Sequence, residues 1–374
     1  METAFRAAQV RGSDWKEAAE ACLAALAPLP EGANLGFIYA TEPLARELPG
    51  ILDMLREGSG VADWVGSVAL GVCATGQEYY DEPALVALVG AFPKDSYRIF
   101  GPEVTTSNKL AEANGAWLEK VQPMVGIVHG DPRQPTLPET VESLSREASL
   151  FFMGGLSSAR SSGLKQVAGG GLVEGGVSGV LLAPQIEMVT GLTQGCSPIG
   201  PVRRATSVRG GVLMELDGRP ALDCLKEDIG ELLSRDLRKI GGLIFAGLPV
   251  RGSDTGDYMV RNLVAIDAEK GWVQIADDLA PGDPVLFCRR DPRSATIDME
   301  RMLTDLKRRA GGPPKAGLYF TCVARGPNIF GDNSGELGMI RDVLGDFPLV
   351  GFFGNGEISH DRLYGYTGVL ALFV

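Results

Sequence analysis

The sequence of 374 residues predicts an α/β (α+β) protein: duplicated strand-helix-strand-strand units should form two mixed sheets packed in a layered sandwich flanked by helices. Three observations carry this prediction. Short apolar runs alternate with segments whose apolar residues recur at helical spacing. Glycine-rich turns separate these segments, and the chain holds 50 glycines. The same order of elements also occurs three times, which indicates internal duplication.

The first copy begins at residue 34. Its helix is predicted from Leu48, Ile51, Leu52 and Leu55, which recur at the spacing of one helical face. In chain order the elements are predicted as a strand over 35–39, a helix over 45–55, a strand over 65–72, a turn over 74–78 and a strand over 84–92.

The second and third copies repeat this order from residue 123 and from residue 317. In the second copy we predict strands over 124–129, 150–153 and 177–182, with a helix over 137–147. In the third we predict strands over 318–323, 349–353 and 368–374, with a helix over 336–344. The last two strands of each copy are expected to pair as a hairpin.

The remaining segments are predicted from the same patterns. Helices are expected over 14–26, 221–237 and 294–309, the last capped by Ser294. Strands are expected within 196–220 and over 258–264, 273–276 and 284–289. Two domains are expected from the length, one over 1–190 and one over 191–374.

Composition limits the function classes. The net charge of −12 argues against nucleic acid as a partner, because phosphate binding needs a basic surface. No apolar run reaches the roughly 18 to 20 residues that span a bilayer, so we expect no membrane segment and a cytoplasmic location. The 6 cysteines show no regular spacing, which favours buried free thiols and argues against a zinc site.

Several short motifs, in order, resemble the FIST family. The match to its C-terminal domain rests on C-S-P-I-G-P at 196–201, E-L-D-G-R-P-A-L at 215–222, V-R-N at 260–262, Asp267, Phe287, R-D at 290–291, Cys322, R-G at 325–326, G-F-F-G-N-G-E at 351–357 and Y-T at 366–367. The first two copies resemble its N-terminal domain more loosely, and together the matches cover roughly residues 30 to 374.

The resemblance implies an intracellular small-ligand sensory module in signal transduction, with amino acids or related metabolites as ligands. Some members of the family bind haem and sense nitric oxide, and others stand behind an F-box. We expect here a stand-alone protein that passes its signal to a downstream protein partner.

The first candidate ligand-binding group lies in the two turns of the third copy and comprises Cys322, Arg325, Gly326, Asn355, Gly356 and Glu357. Arg325 follows a strand end, where side chains leave the core, and a guanidinium suits a bidentate carboxylate. Glu357 would take an ammonium group. The alternative is a structural Arg–Glu pair that joins the turns, with Gly354 and Gly356 serving the turn itself.

A second candidate group comprises Arg261, Asn262 and Arg290, with Asp267 and Asp291 near them in sequence. The alternative for this group is structural, because Asp291 stands where a turn begins and Arg290 has acidic neighbours to pair with.

Three other functions stay open. Cys322 would serve an enzyme as a nucleophile if a base lay beside it, although a small buried hydrophobe is the simpler interpretation. His129 or His360 would ligate haem in a nitric-oxide sensor. An adaptor would bind a protein and no small ligand. We predict no catalytic residue and no metal site, and the cofactor is left unknown.

Overall fold

The computed structural model describes residues 4–161, 163–250 and 256–374, and it confirms a mixed α/β fold. The described residues form two compact units. The first unit holds those of Met1–Thr193 and Met299–Val374, and the second holds those of Gln194–Asp298. The predicted sequence domains 1–190 and 191–374 stay a prediction.

The first unit opens with two complete repeats of one arrangement. The elements of the first repeat are β1 (Phe5–Arg11), α1 (Trp15–Leu26), β2 (Leu35–Thr41), a 3₁₀ helix (Glu42–Leu44), α2 (Leu48–Ser59), β3 (Asp63–Ala69), β4 (Gly71–Ala74), β5 (Gln77–Tyr80) and β6 (Ala84–Gly90). Those of the second are β7 (Tyr97–Phe100), α3 (Ser107–Val121), β8 (Val125–Gly130), α4 (Leu137–Glu147), β9 (Phe151–Leu156), β10 (Gln166–Gly169), β11 (Gly171–Val173) and β12 (Val177–Leu182).

A third repeat begins with β13 (Met188–Gln194), and the second unit then interrupts it. The second unit contains β14 (Cys196–Pro198), β15 (Arg203–Arg209), β16 (Val212–Leu216), β17 (Arg219–Pro220), α5 (Ala221–Ser234), a 3₁₀ helix (Leu237–Ile240), β18 (Ile244–Pro249), β19 (Tyr258–Asp267), β20 (Trp272–Ile275) and β21 (Pro284–Arg290). These strands form one sheet around the core under α5.

The third repeat then resumes with α6 (Pro292–Ala310), β22 (Ala316–Cys322), α7 (Pro327–Phe330), α8 (Gly335–Leu344), β23 (Leu349–Gly354), β24 (Glu357–His360), β25 (Arg362–Tyr364) and β26 (Thr367–Phe373). Each repeat therefore reads lead strand, helix, first strand, helix, second strand, hairpin and closing strand. The predicted threefold duplication has a longer period than the sequence pattern indicated, because it includes a lead strand and an additional helix.

The three repeats build six-stranded sheets of one topology. Their orders are β1-β6-β2-β3-β10-β11, β7-β12-β8-β9-β24-β25 and β13-β26-β22-β23-β4-β5. In every sheet the first and second strands are parallel and the closing strand pairs antiparallel with the first. The predicted hairpin between the last two strands of each copy is therefore wrong, since the closing strand returns to the far side of the first strand.

The hairpin of each repeat is exchanged with another repeat. The β4–β5 hairpin of the first repeat extends the third sheet, and β24–β25 of the third extends the second sheet. The hairpin β10–β11 of the second repeat extends the first sheet. The exchange closes in a cycle, so no repeat completes its sheet alone.

One glycine in each second strand makes this register possible. A Cβ on Gly66, Gly154 or Gly351 would lie 1.8 Å from a backbone carbonyl oxygen of the adjacent first strand. The residues opposite are Ile38, Val128 and Tyr319, which occupy the same place in the three first strands. This equivalence supports the duplication independently of the element order.

Each sheet buries one face under its own helices and the other in a core that all three sheets share. Tyr39, His129 and Phe320 occupy equivalent positions of the first strands and meet in that core. The Tyr39 hydroxyl lies 3.1 Å from His129 Nε2, and the rings of Tyr39 and Phe320 are 6.3 Å apart. Both faces of these strands are buried, which explains why they read as continuous apolar runs.

Candidate functional site

A cavity of about 330 Å³ lies beyond the ends of parallel strands from all three repeats. Leu70 follows β3, Ser157 and Ser158 follow β9, and Asn355 follows β23. Among the described residues, the lining is Leu70, Pro132, Arg133, Ser157, Ser158, Ala159, Ser161, Leu164, Val323 and Asn355. The cavity has the size of a small-molecule site and combines apolar walls with a few polar groups.

Hydrogen bonds between repeats hold the serine side of this cavity. The hydroxyls of Ser67 and Ser157 are 2.7 Å apart. The Ser158 hydroxyl donates to the Phe353 carbonyl at 2.6 Å and accepts from the Leu70 amide at 2.9 Å. Ser158 thus joins all three repeats at the cavity wall.

Arg133 supplies the guanidinium among the cavity-lining residues. Its Nε and Nη2 donate to Asp131 at 3.0 and 2.6 Å, so Nη1 is the guanidinium nitrogen outside that pair. The Asp131 side chain is 4% exposed and the Arg133 side chain is 46% exposed. Burial opposes ionisation of Asp131, but hydrogen bonds from Arg133 hold the pKa of that carboxyl below its ordinary value. The pair therefore presents a fixed, solvent-accessible guanidinium.

Arg325 points inward, contrary to the expectation that its side chain leaves the core. It is 1% exposed. Its Nε and Nη2 lie 2.8 and 2.7 Å from Oε1 of Glu336. Glu336 also accepts from the Tyr319 hydroxyl at 2.6 Å and from the Gly326 amide at 3.1 Å. Arg325 therefore belongs to a buried structural pair, as the alternative interpretation held, although with a different glutamate.

Glu336 was not among the candidate residues that the sequence indicated. A usable signal existed, because Glu336 stands on the helical face that also carries Leu337, Ile340 and Leu344, and all four side chains are buried. A carboxylate on an apolar helix face needs a partner, and Arg325 supplies it.

Glu357 is wholly buried and does not form an ion pair with Arg325. Its Oε2 accepts from the Thr367 hydroxyl at 2.7 Å and from the Thr367 amide at 3.2 Å. Its Oε1 has no partner among the described residues. Burial raises the pKa of Glu357 to about 8.

The other predicted residues of the two turns differ in role. Asn355 is exposed and lines the cavity. Val323, the residue after Cys322, also lines it. Gly326 has φ 51°, and a Cβ there would lie 2.6 Å from the Tyr80 hydroxyl. Gly356 has φ 139°, which also favours glycine. Both glycines are required by the turns.

Cys322 has the environment of an inert thiol. Burial, followed by the nearby Glu357, raises the pKa of Cys322 to about 12. A nucleophilic cysteine needs the opposite shift. All six cysteines are buried and free, in agreement with their predicted role.

Arg261, Asn262 and Arg290 lie in the second unit, whereas the turns of the third repeat lie in the first. Arg261 donates from Nε to Asp277 at 2.7 Å. Asn262 stands opposite Phe245 in the β18–β19 pair, and Arg290 opposite Cys196. Asp267 and Asp291 accept hydrogen bonds from backbone amides of their own turns, so both stabilise those turns.

The histidines occupy contrasting places. His129 is fully buried beside Tyr39, and burial lowers its pKa to about 3, so it is neutral. Ligation of haem by His129 would require the shared core to open. His360 is 59% exposed and stacks on Phe151. Within the described ranges, no His, Cys, Asp and Glu cluster could hold a metal ion.

Comparison with known families identifies the family. Residues 34–219 match the FIST N domain and residues 221–360 match the FIST C domain, so this chain belongs to the FIST family. Over the described part of the chain, no helix combines the length and apolar character of a membrane span.

Relatives of similar length occur in mycobacteria. "Uncharacterized protein MT0656" of Mycobacterium tuberculosis is 31% identical over 325 residues, which cover 83% of each chain. "Uncharacterized protein Mb0898c" of Mycobacterium bovis is 29% identical over 357 residues, covering 91% of this chain and 89% of the relative. A solved structure, "T. maritima PurL complexed with ATP", aligns with 99% of this chain and 71% of its own at 12% identity. The TM-score of this alignment is 0.24.

Proposed function

We propose that this protein is a cytoplasmic small-ligand sensor that binds an amino acid or a related metabolite at the two turns before Arg325 and Glu357. The observation that carries the proposal is the cavity at the junction of the three repeats, which Val323 and Asn355 of those turns line. The FIST resemblance, which implies small-ligand sensing in signalling, supports the same conclusion.

The cavity chemistry favours a ligand with a carboxylate. The Nη1 of Arg133 is oriented by the buried Asp131 and can meet an anionic group without a new side-chain arrangement. The exposed Asn355 offers an amide, and Leu70 and Leu164 offer apolar surface for a short side chain. In this proposal the buried side chains of Arg325 and Glu357 do not contact the ligand. They set the backbone positions of Val323 and Asn355.

Signalling would follow from the junction itself. Three repeats line the cavity, so a ligand that prefers one arrangement of them shifts their equilibrium toward it. A downstream protein partner would then read the change. We also propose a layered architecture, in which sheets pack across the shared core with helices outside. The sequence predicts two such sheets, whereas three share this core.

Calorimetric titration with a panel of amino acids and other small carboxylates tests the binding. Arg133→Ala is expected to weaken the affinity of the bound compound by roughly 10-fold or more, because a charge-assisted hydrogen bond is worth about 1.5 to 3 kcal/mol. Asn355→Ala should weaken it less. Arg308→Ala is the matched control, since this arginine pairs with Asp305 on α6 outside the cavity lining.

Unchanged affinity in both cavity variants would place the ligand elsewhere and overturn the proposed site. No binding by any panel member would overturn the ligand class.

A further inference from the structure

Two buried polar atoms of opposite character lack partners behind the turns of the third repeat. The Nη1 of Arg325 is a donor and the Oε1 of Glu357 is an acceptor, and neither has a hydrogen-bond partner among the described residues. Both side chains are buried, at 1% and 0% exposure. Leaving such atoms unpaired is costly, so their arrangement calls for a functional explanation.

The charges near Glu357 compensate an ionised carboxylate in part. Arg325 favours the ionised form of Glu357, but the Nε and Nη2 of Arg325 are held by Glu336, whose own negative charge opposes that form. From the other elements packed against it, Glu357 meets the Cys322 thiol of β22, the Thr367 hydroxyl of β26, Tyr364 opposite it in β25 and Gly155 opposite it in β9. None of these four groups is a cation, so an ionised Glu357 would depend on Arg325, whose Nε and Nη2 are already paired with Glu336.

We propose that Glu357 is a proton-binding site that controls the position of the Arg325 turn. With its proton in place, Glu357 is neutral and Arg325 stays on Glu336. When the proton passes to a base in solvent, the new carboxylate attracts the unpartnered Nη1 of Arg325. Arg325 then shares its charge between the two carboxylates, and the turn over 323–326 moves with it.

The raised pKa of Glu357, about 8, sets this exchange near neutral pH. A second buried carboxyl extends the network, because Glu78 Oε2 also lacks a partner and burial raises the pKa of Glu78 to about 7. The negative charge of Glu336 also raises the pKa of Glu78. Glu78 Oε1 accepts a hydrogen bond from the Leu337 amide at 3.2 Å.

The Arg325 turn forms part of the cavity wall through Val323, so proton release would also change the cavity. Only this last consequence rests on the proposed function. The proton site itself is tested without any ligand, and the two proposals therefore fail separately.

Infrared spectroscopy of the full chain between about pH 6 and pH 9 tests the proton site. The wild type should lose a protonated-carboxyl band over this range, and Glu357→Gln should lack the part of the band that belongs to Glu357. Glu119→Gln, an exposed carboxyl on α3, should leave the wild-type change intact. A band change identical in Glu357→Gln and wild type would overturn the proposal.

Amide hydrogen exchange tests the movement of the turn. After correction for the chemical exchange rate, the Val323 amide, which donates to Gly354 at 2.9 Å, should exchange at least 10-fold faster at pH 9 than at pH 6. Glu357→Gln should show no such change, and equal acceleration in both proteins would overturn the switch. If Glu357→Gln fails to fold, Thr367→Val replaces it: losing the hydroxyl donor should raise the pH midpoint of the band, and an unchanged midpoint would overturn the assignment.

Discussion

Two arginine–carboxylate pairs close the ends of equivalent first strands, but one faces solvent and the other lies in the interior. After β8, Arg133 is 46% exposed and grips a buried Asp131. After β22, Arg325 is 1% exposed and its partner Glu336 is 0% exposed. The turns after two equivalent first strands thus carry, in one repeat, a pair available to a ligand and, in the other, a pair enclosed by protein.

The difference shows that equivalent turns of a duplicated fold can serve different roles. The second repeat keeps its guanidinium at the cavity, whereas the third uses its guanidinium to anchor a turn and a helix. A buried pair contributes little net free energy, yet breaking it leaves a charge with no solvent. The half-exposed pair is less costly to lose, because Asp131 also accepts from the backbone amides of Arg133 and Gly175.

The largest expected effect is the loss of Arg325. Arg325→Ala should lower the free energy of unfolding by about 3 to 5 kcal/mol, because the buried Glu336 would lose its cationic partner. Arg133→Ala should cost about 1 kcal/mol or less, since Asp131 keeps two backbone donors. Urea unfolding of both variants measures the difference. Equal losses would contradict the assigned roles of the two pairs.

The second-strand glycines of the second and third repeats should tolerate substitution equally poorly. Gly154→Ala and Gly351→Ala should each destabilise the protein by about 3 kcal/mol or more, because the new Cβ would lie 1.8 Å from a carbonyl oxygen. Gly171→Ala is the control, since no atom lies within 4 Å of its added Cβ. Thermal unfolding that ranks Gly171→Ala with the other two would refute the shared register.

Stability should respond to pH in opposite directions at the two sites. The folded pKa of Asp131 lies below its unfolded value of 3.8, so its contribution is present above that value and is lost as pH falls through the folded pKa. The folded pKa of Glu357, about 8, lies above its unfolded value of 4.5. Its contribution is therefore full below about pH 4.5 and is lost as pH rises through about 8.

Urea unfolding across this pH range separates the two contributions. Asp131→Asn should flatten the acid side of the stability profile, and Glu357→Gln should flatten the alkaline side. A Glu357→Gln profile that still falls between about pH 5 and pH 8 would show that another group, such as Glu78, governs this range.

The smallest expected effect concerns α3, the second repeat's helix after its lead strand. Gly115→Ala should stabilise the protein by up to about 1 kcal/mol, because glycine is a poor helix former and the added Cβ meets no atom within 4 Å. Circular dichroism melting measures it. A lower melting temperature would mean that Gly115 serves a contact absent from this structure.

Local patterns were enough to predict many individual elements. The helix over 137–147 and the strand over 177–182 agree with α4 and β12, because apolar periodicity reports which face each segment buries. The helix α3 was missed: its apolar residues are few, and Leu110 and Trp117 are its buried side chains. The strand pairing was wrong because sequence proximity favoured a hairpin, whereas the closing strand pairs with the first strand.

For the site, the sequence indicated the two turns of the third copy, and Asn355 of those turns lines the cavity. It indicated neither Arg133 nor the serine turn after β9, since their role depends on three repeats meeting. It also paired Arg325 with the wrong glutamate, because Glu357 stands in an adjacent turn while Glu336 reaches Arg325 from a helix.

The sequence alone determined the α/β class, the threefold repetition and the family, because each follows from local periodicity or from motifs in a fixed order. Tertiary structure decided the exchange of hairpins, the place of the cavity and the burial of Glu357 and Arg325. Those features arise from contacts between segments far apart in the chain, and side-chain burial and charge balance are properties of such contacts rather than of any one segment.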